Sequence, residues 1–179
     1  MGGDGAGEGG GFVGQALART SPLVTRLVTP QTPSWDDMRR WADGVDPRRV
    51  IRTPIVGQLL MTLDRRRIAA GWYRACTGDR SFRAPFTAAA DEAFAVGGCF
   101  CLASLMQGLE RSPEPPRAPL SVPVAIVWGD RDRTHRRSSP SNALPGAELV
   151  HFERCGHSPD LEAPEAFASW LLAWHGASA

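Results

Sequence analysis

Asp132 and His157 are the residues of this 179-residue chain whose types and placement best suit chemistry. The apolar run Val122-Pro123-Val124-Ala125-Ile126-Val127-Trp128 leads into a polar turn, Gly129-Asp130-Arg131-Asp132. A second run, Ala147-Glu148-Leu149-Val150-His151-Phe152, leads into Cys155-Gly156-His157-Ser158-Pro159. A carboxylate beside an imidazole holds the ring in one tautomer and stabilises the imidazolium, so the other nitrogen can take a proton from a nucleophile or from water. The separation of about 25 residues is weak evidence taken alone. Placement is what gives it weight, because open parallel sheets gather their functional side chains just past the C-terminal ends of strands.

The elements that must position this pair are legible as changes of texture. The run 122–128 is continuously apolar, as expected of a parallel strand covered on both faces. Further strands are expected near 24–28 and 149–152, and a helix opens at Pro164, with Glu165 near the positive end of its dipole. Residues 2–11 are glycine-dominated, with Asp4 and Glu8 their only charges, and lead into helix-compatible residues from Phe12 to Arg19. Between 34 and 107 the chain reads as helices. Ser34 is the first N-cap, followed by Asp36 and Asp37; a second helix is expected over 55–75 and a third over 86–94, extending to Met106. Ser112–Pro119 is a proline-rich linker. The expected class is therefore α/β, about three parallel strands with flanking helices and a helical insertion. Its divisions fall at 1–33, 34–111, 112–120 and 121–179.

Composition removes several classes of function. Twenty basic residues, all arginine, against 19 acidic ones give a net charge of +1, too little to displace phosphate counterions, so no nucleic-acid partner is expected. No apolar run approaches the roughly 20 residues needed to span a bilayer, and no membrane partner is expected. The first twelve residues lack the pattern of a secretory signal. Cys76, Cys99, Cys101 and Cys155 have no zinc-ligand spacing and read as reduced thiols of a cytoplasmic protein. Without lysine, no Schiff-base or P-loop lysine chemistry is available. No cofactor and no metal is expected. The cluster Arg131, Arg133, Arg136 and Arg137 reads as a solvated charged turn, with an anionic substrate as the alternative.

The segments Pro123–Asp132, Leu144-Pro145-Gly146-Ala147, Cys155–Ser158 and Glu162-Ala163-Pro164-Glu165 resemble the C-terminal third of the α/β-hydrolase superfamily. That resemblance implies that Asp132 is the triad acid and His157 the triad histidine. Gly9-Gly10-Gly11-Phe12-Val13-Gly14-Gln15, then Val24–Val28 and Ser34-Trp35, resemble the helix and strand after the nucleophile elbow in the epoxide hydrolase and haloalkane dehalogenase branch. Residues 34–107 would then be the cap, lining a substrate pocket with Trp35, Trp41, Trp72 or Tyr73. By the same resemblance the nucleophile position falls on Gly7, which has no side chain to attack with; Asp4 is the candidate replacement, and Glu8 sits one position late. The chain reads as N-terminally truncated, lacking the strands and the oxyanion loop that the family places before the elbow. The strand near 24–28 would then present an unpaired apolar edge through which a homodimer could form.

The resemblance implies a hydrolase of a small, largely apolar ester-like substrate, with His157 as general base oriented by Asp132. Epoxide opening is disfavoured because that branch uses two cap tyrosines and this chain has only Tyr73. A dehalogenase would need halide donors, for which Trp72 and Trp128 are the candidates. The rival is a non-catalytic remnant of the fold that binds a ligand or partner, favoured by Gly7. A third reading is a lyase or cyclase that needs no nucleophile.

Overall fold

All six residues of Val124–Gly129 are buried, so this strand is the centre of the fold. A computed structural model describes residues 8–177. The chain order is α1 (Glu8–Thr20), β1 (Leu27–Pro30), α2 (Trp35–Val45), α3 (Val56–Leu63), α4 (Arg65–Cys76), α5 (Arg83–Ala95), α6 (Phe100–Arg111), β2 (Val124–Gly129), β3 (Glu148–Phe152), α7 (Pro159–Glu162) and α8 (Pro164–Gly176). The strands form one parallel sheet in the order β1-β2-β3. Leu27 pairs with Val124 and Ala125 with Glu148, so all three C-terminal ends lie on one side.

Each strand owes its limits to local chemistry. β1 begins at Leu27, three residues later than the sequence pattern suggests, because Ser21 to Val24 close a turn and the first ladder bond is Leu27 N–H to the Pro123 carbonyl (3.0 Å). It runs on through Pro30, whose missing N–H is tolerated on this edge. β2 packs Val124, Ile126 and Trp128 against Leu144 on one face. On β3, Phe152 meets Phe167 and Trp170 of α8, with ring centroids 6.0 and 6.4 Å apart.

The helices α2–α6 enter between β1 and β2. Ser34 caps α2, its hydroxyl accepting from the Asp37 N–H at 3.1 Å. Met38, Trp41 and Ala42 of α2 bury against Met106 and Leu109 of α6. The single helix expected over 55–75 is two helices that meet at Asp64. The break lets Met61 and Leu60 of α3 and Ile68 of α4 face one cluster with Cys99 and Ala103. The helix expected to continue to Met106 is likewise two, and α6 turns 80° from the segment that precedes it. Gly97, at φ +101°, and Gly98 make that corner, Gly98 donating back to the Ala93 carbonyl at 2.9 Å. At the other end α1 starts at Glu8, so Gly9, Gly10 and Gly11 are helical rather than loop. A Cβ on Gly11 would fall 2.0 Å from Thr32 Oγ1, which is why the helix approaches the end of β1 through a glycine.

Arg52 closes the segment between α2 and α3. Its buried guanidinium reaches Asp43 at 2.8 Å, Glu110 at 3.1 Å and Asp46 at 3.7 Å. Residues 112–123 form no helix or strand and are tied to α1 through Arg19, which donates to the Pro116 and Ala118 carbonyls. Among the described residues, no single helix is long and apolar enough to cross a membrane.

Candidate active site

The ends of β1, β2 and β3 deliver three polar segments to one place. Asp132 sits at the close of the turn after β2, where its N–H donates to the Gly129 carbonyl at 3.1 Å. Its side chain is 1% exposed. Oδ2 accepts from His157 Nδ1 at 2.9 Å and from Gln31 Nε2 at 2.7 Å. Oδ1 accepts from the Thr134 N–H at 2.8 Å and the Thr134 hydroxyl at 2.5 Å. A buried carboxylate needs this many donors to stay ionised. Burial alone would raise the Asp132 carboxyl; the hydrogen bond and charge of His157, with the Thr134 donors, outweigh it and hold it below the usual carboxylate range.

Gln31 is the contribution of β1. It follows Pro30 at φ +43°, is 1% exposed, and its Oε1 accepts from the Gly129 N–H at 3.0 Å. One amide therefore braces both the turn and its carboxylate.

His157 stands on the loop after β3. Its backbone N–H donates to the Cys76 carbonyl at the end of α4 at 2.6 Å, and the Arg133 N–H donates to the neighbouring Ala75 carbonyl at 3.1 Å. The C-terminus of α4 thus grips both loops of the pair. Glu162 adds a second clip: Oε2 accepts from Gly78 (2.7 Å) and Asp79 (3.3 Å), while Oε1 accepts from Gly156 (2.9 Å). The backbones meet so tightly that a Cβ on Gly156 would lie 1.9 Å from the Cys76 carbonyl oxygen, and one on Gly129 1.8 Å from that of Gly156.

Around the imidazole the walls are aromatic. The His135 ring stacks on His157 with centroids 5.7 Å apart and planes 27° from parallel, and it leans on Trp41 at 5.7 Å. Trp72 presents to His157 in an edge geometry at 6.1 Å. Trp41, Trp72, Thr134 and His135 line a cavity of about 660 Å³, completed by Ile51, Met61, Ile68 and Leu102. That is within the size range of small-molecule sites.

The structure separates the four aromatic candidates. Trp41 and Trp72 line the cavity, 5.8 Å from each other. Trp35 does not; it packs edge-on against Phe12 of α1 at 5.1 Å. Tyr73 does not either, since its ring turns to Phe86 of α5 at 5.6 Å and burial pushes its phenol up. Asp4 and Gly7 lie outside the described residues, and Glu8 opens α1. Sequence alone does not point to Gln31, Thr134 or His135. The one signal for His135 is its place three residues past Asp132 in the same turn.

Chemically, an Nδ1–H donated to Asp132 leaves Nε2 as the basic nitrogen of His157. Donor atoms of Asp132, His135 and His157 also lie within 4.8 Å of one another, the side-chain types that bind first-row metals. Asp132 Oδ2 and His157 Nδ1 already satisfy each other at 2.9 Å, an arrangement chemically suited to passing a proton.

Comparison with known proteins bears on the fold that carries this site. An N-acyl homoserine lactone degrading enzyme superposes with a TM-score of 0.63 at 18% identity, covering 92% of this chain and 63% of its own. A thermophilic esterase gives 0.64 at 15% identity, over 92% and 61%. A proline iminopeptidase from Mycobacterium smegmatis gives 0.55 at 17% identity, over 92% and 61%. At such identities the likeness speaks for the fold, and this chain spans about six-tenths of the length of those structures. No curated protein matches it significantly. The three-stranded parallel sheet with its flanking helices is part of the α/β-hydrolase fold. Since the profile of the alpha/beta hydrolase family matches residues 9–170, this chain belongs to that family.

Proposed function

We propose that this chain carries the acid–histidine half of a hydrolase acting on a small ester-like substrate, with His157 as general base and Asp132 as its orienting partner. The observation that carries the reading is the 2.9 Å contact between His157 Nδ1 and a carboxylate buried to 1% exposure. A structural histidine does not need a carboxylate held by four donors. His157 Nε2 takes a proton from water, the hydroxide adds to the ester carbonyl, and the imidazolium, stabilised by Asp132, returns the proton to the leaving alcohol. Asp4 is the candidate nucleophile for a covalent route, in which its carboxylate adds to the ester carbonyl and expels the alcohol as an alkoxide that takes a proton from solvent. Water deprotonated by His157 then hydrolyses the acyl anhydride to the product acid and restores the carboxylate. Trp41 and Trp72 give the substrate an apolar bed, and helices α2–α6 act as a cap over the sheet. An esterase and a lactone-degrading enzyme among the structural neighbours support an ester-like substrate over an epoxide or a halide.

A second reading is favoured by one feature, the glycine at position 7 where the family's nucleophile stands. Under it the chain binds a ligand or partner without turnover. Hydrolysis of p-nitrophenyl butyrate by the wild type, His157→Ala and Asp4→Ala separates the two. Activity lost in His157→Ala and kept in Asp4→Ala supports water activation; activity lost in both supports the covalent route; equal background from all three leaves the non-catalytic reading. The cytoplasm is the proposed compartment, and self-pairing through the open edge of β1 the proposed mode of association.

A further inference from the structure

The charges on the cavity wall are not balanced. Five arginines line it, Arg40, Arg67, Arg133, Arg136 and Arg137, against two carboxylates, Asp37 and Asp64. Both carboxylates are already engaged, Asp37 with Arg40 at 2.5 Å and Asp64 with Arg67 at 3.8 Å. Arg133 spends its guanidinium on the Arg74 carbonyl. Arg136 and Arg137 have no carboxylate within ion-pair distance among the described residues. They come directly after His135, whose ring stacks on the general base. Trp41, Met61, Ile68 and Trp72, from α2, α3 and α4, with Leu102 of α6, give the same cavity an apolar lining. The cavity therefore offers both planar cationic forks suited to an oxyanion and an apolar lining suited to a hydrocarbon chain.

We infer that the substrate is an amphiphilic anion: an ester or lactone whose apolar chain lies along Trp41 and Trp72 and whose carboxylate or phosphate is held by Arg136 and Arg137. This rests on the cavity being the substrate site of the proposed hydrolase and adds the charge that the substrate carries. It replaces the small, largely apolar substrate expected from family resemblance with one bearing a fixed negative group. Two exposed arginines that merely solvated the turn would be indifferent to such a group.

Binding tests this without relying on turnover. Sodium octanoate, octyl phosphate and 1-octanol share one tail and differ in the head, and their titration is followed by intrinsic tryptophan fluorescence. Both anions should bind about five- to tenfold more tightly than the alcohol at low salt, with the preference falling as salt is raised to about 0.5 M. In the double variant Arg136→Gln/Arg137→Gln the preference should fall to about one, while the alcohol's affinity stays put. Arg136 and Arg137 are exposed, so the variant is expected to fold. Equal binding of anion and alcohol, a preference that survives the double variant, or no binding of any of the three overturns the inference. A preference that obeys these expectations in a protein with no esterase activity would sink only the hydrolase reading. Turnover of esters with no anion preference would sink only this one.

Discussion

Glu162→Ala is the change that most severely tests how the site is held together. The carboxylate accepts from three backbone donors, two at 2.7 and 2.9 Å and one at 3.3 Å, and joins the segment leaving α4 to the loop of His157. A hydrogen bond to a charged acceptor contributes about 1.5–3 kcal/mol when shielded from water. Here the Gly78 and Gly156 bonds are partly buried while the Asp79 bond is exposed and long, so the loss is smaller than the sum of three, about 2–3 kcal/mol. With a urea slope of about 2 kcal/mol/M, that shifts the unfolding midpoint down by about 1 M. Glu162→Gln keeps one acceptor oxygen and turns an amide N–H₂ toward the other donor, so about half of the loss should remain. The second readout is kcat/KM for ester hydrolysis, measured well below the midpoint. Releasing Gly156 lets His157 drift, and a displacement on the order of 0.5–1 Å costs tens-fold in rate. An unshifted midpoint, or activity that falls only with the folded fraction, would show that Glu162 does not clip the loops.

Three other expectations rest on the same geometry. The Asp132 carboxyl is held below its ordinary range, so its ionisation adds stability that is full above the unfolded value of about 4 and is lost as pH falls through the lower folded value. Urea midpoints taken from about pH 6 to about pH 3 should therefore decline more steeply in the wild type than in Asp132→Asn; parallel curves would refute this. Arg52→Ala removes the ion pairs to Asp43 and Glu110 while Asp46 keeps its backbone donors from Val50 and residue 52, and should cost about 1–2 kcal/mol by chemical denaturation, against less than about 0.5 if the network is ornamental. Because β1 pairs on one side only among the described residues, sedimentation velocity at rising concentration should reveal a dimer, weakened by Val28→Lys. A monodisperse monomer with a cooperative melt would contradict that expectation.

Much of the site is readable in the sequence because the strand before Asp132 is apolar at every position, and a run of that kind ending in Gly-Asp-Arg-Asp marks where the sheet stops. The helix start at Ser34 is readable for a similarly local reason. What escapes depends on distance. Gln31 meets Asp132 across 101 positions and does so through a backbone conformation that no side-chain pattern announces. His135 is buried although four arginines share its turn, because Trp41 and Trp128 arrive from other elements to cover it. Trp35 and Tyr73 are plausible cavity residues by sequence because aromatic residues on helices of an insertion do not declare which face turns inward. Helix continuity fails at Asp64 and at Gly97-Gly98, where burying both apolar faces outweighs an unbroken helix.

The tautomer of His157, read by long-range ¹H–¹⁵N correlation of the imidazole near neutral pH, is the sharpest test of the relay. The expected result is a proton on Nδ1, shifted far downfield by Asp132, with Nε2 bare of hydrogen, and a move to the Nε2–H form in Asp132→Asn. An Nε2–H tautomer in the wild-type protein, or a spectrum indifferent to Asp132→Asn, would contradict it.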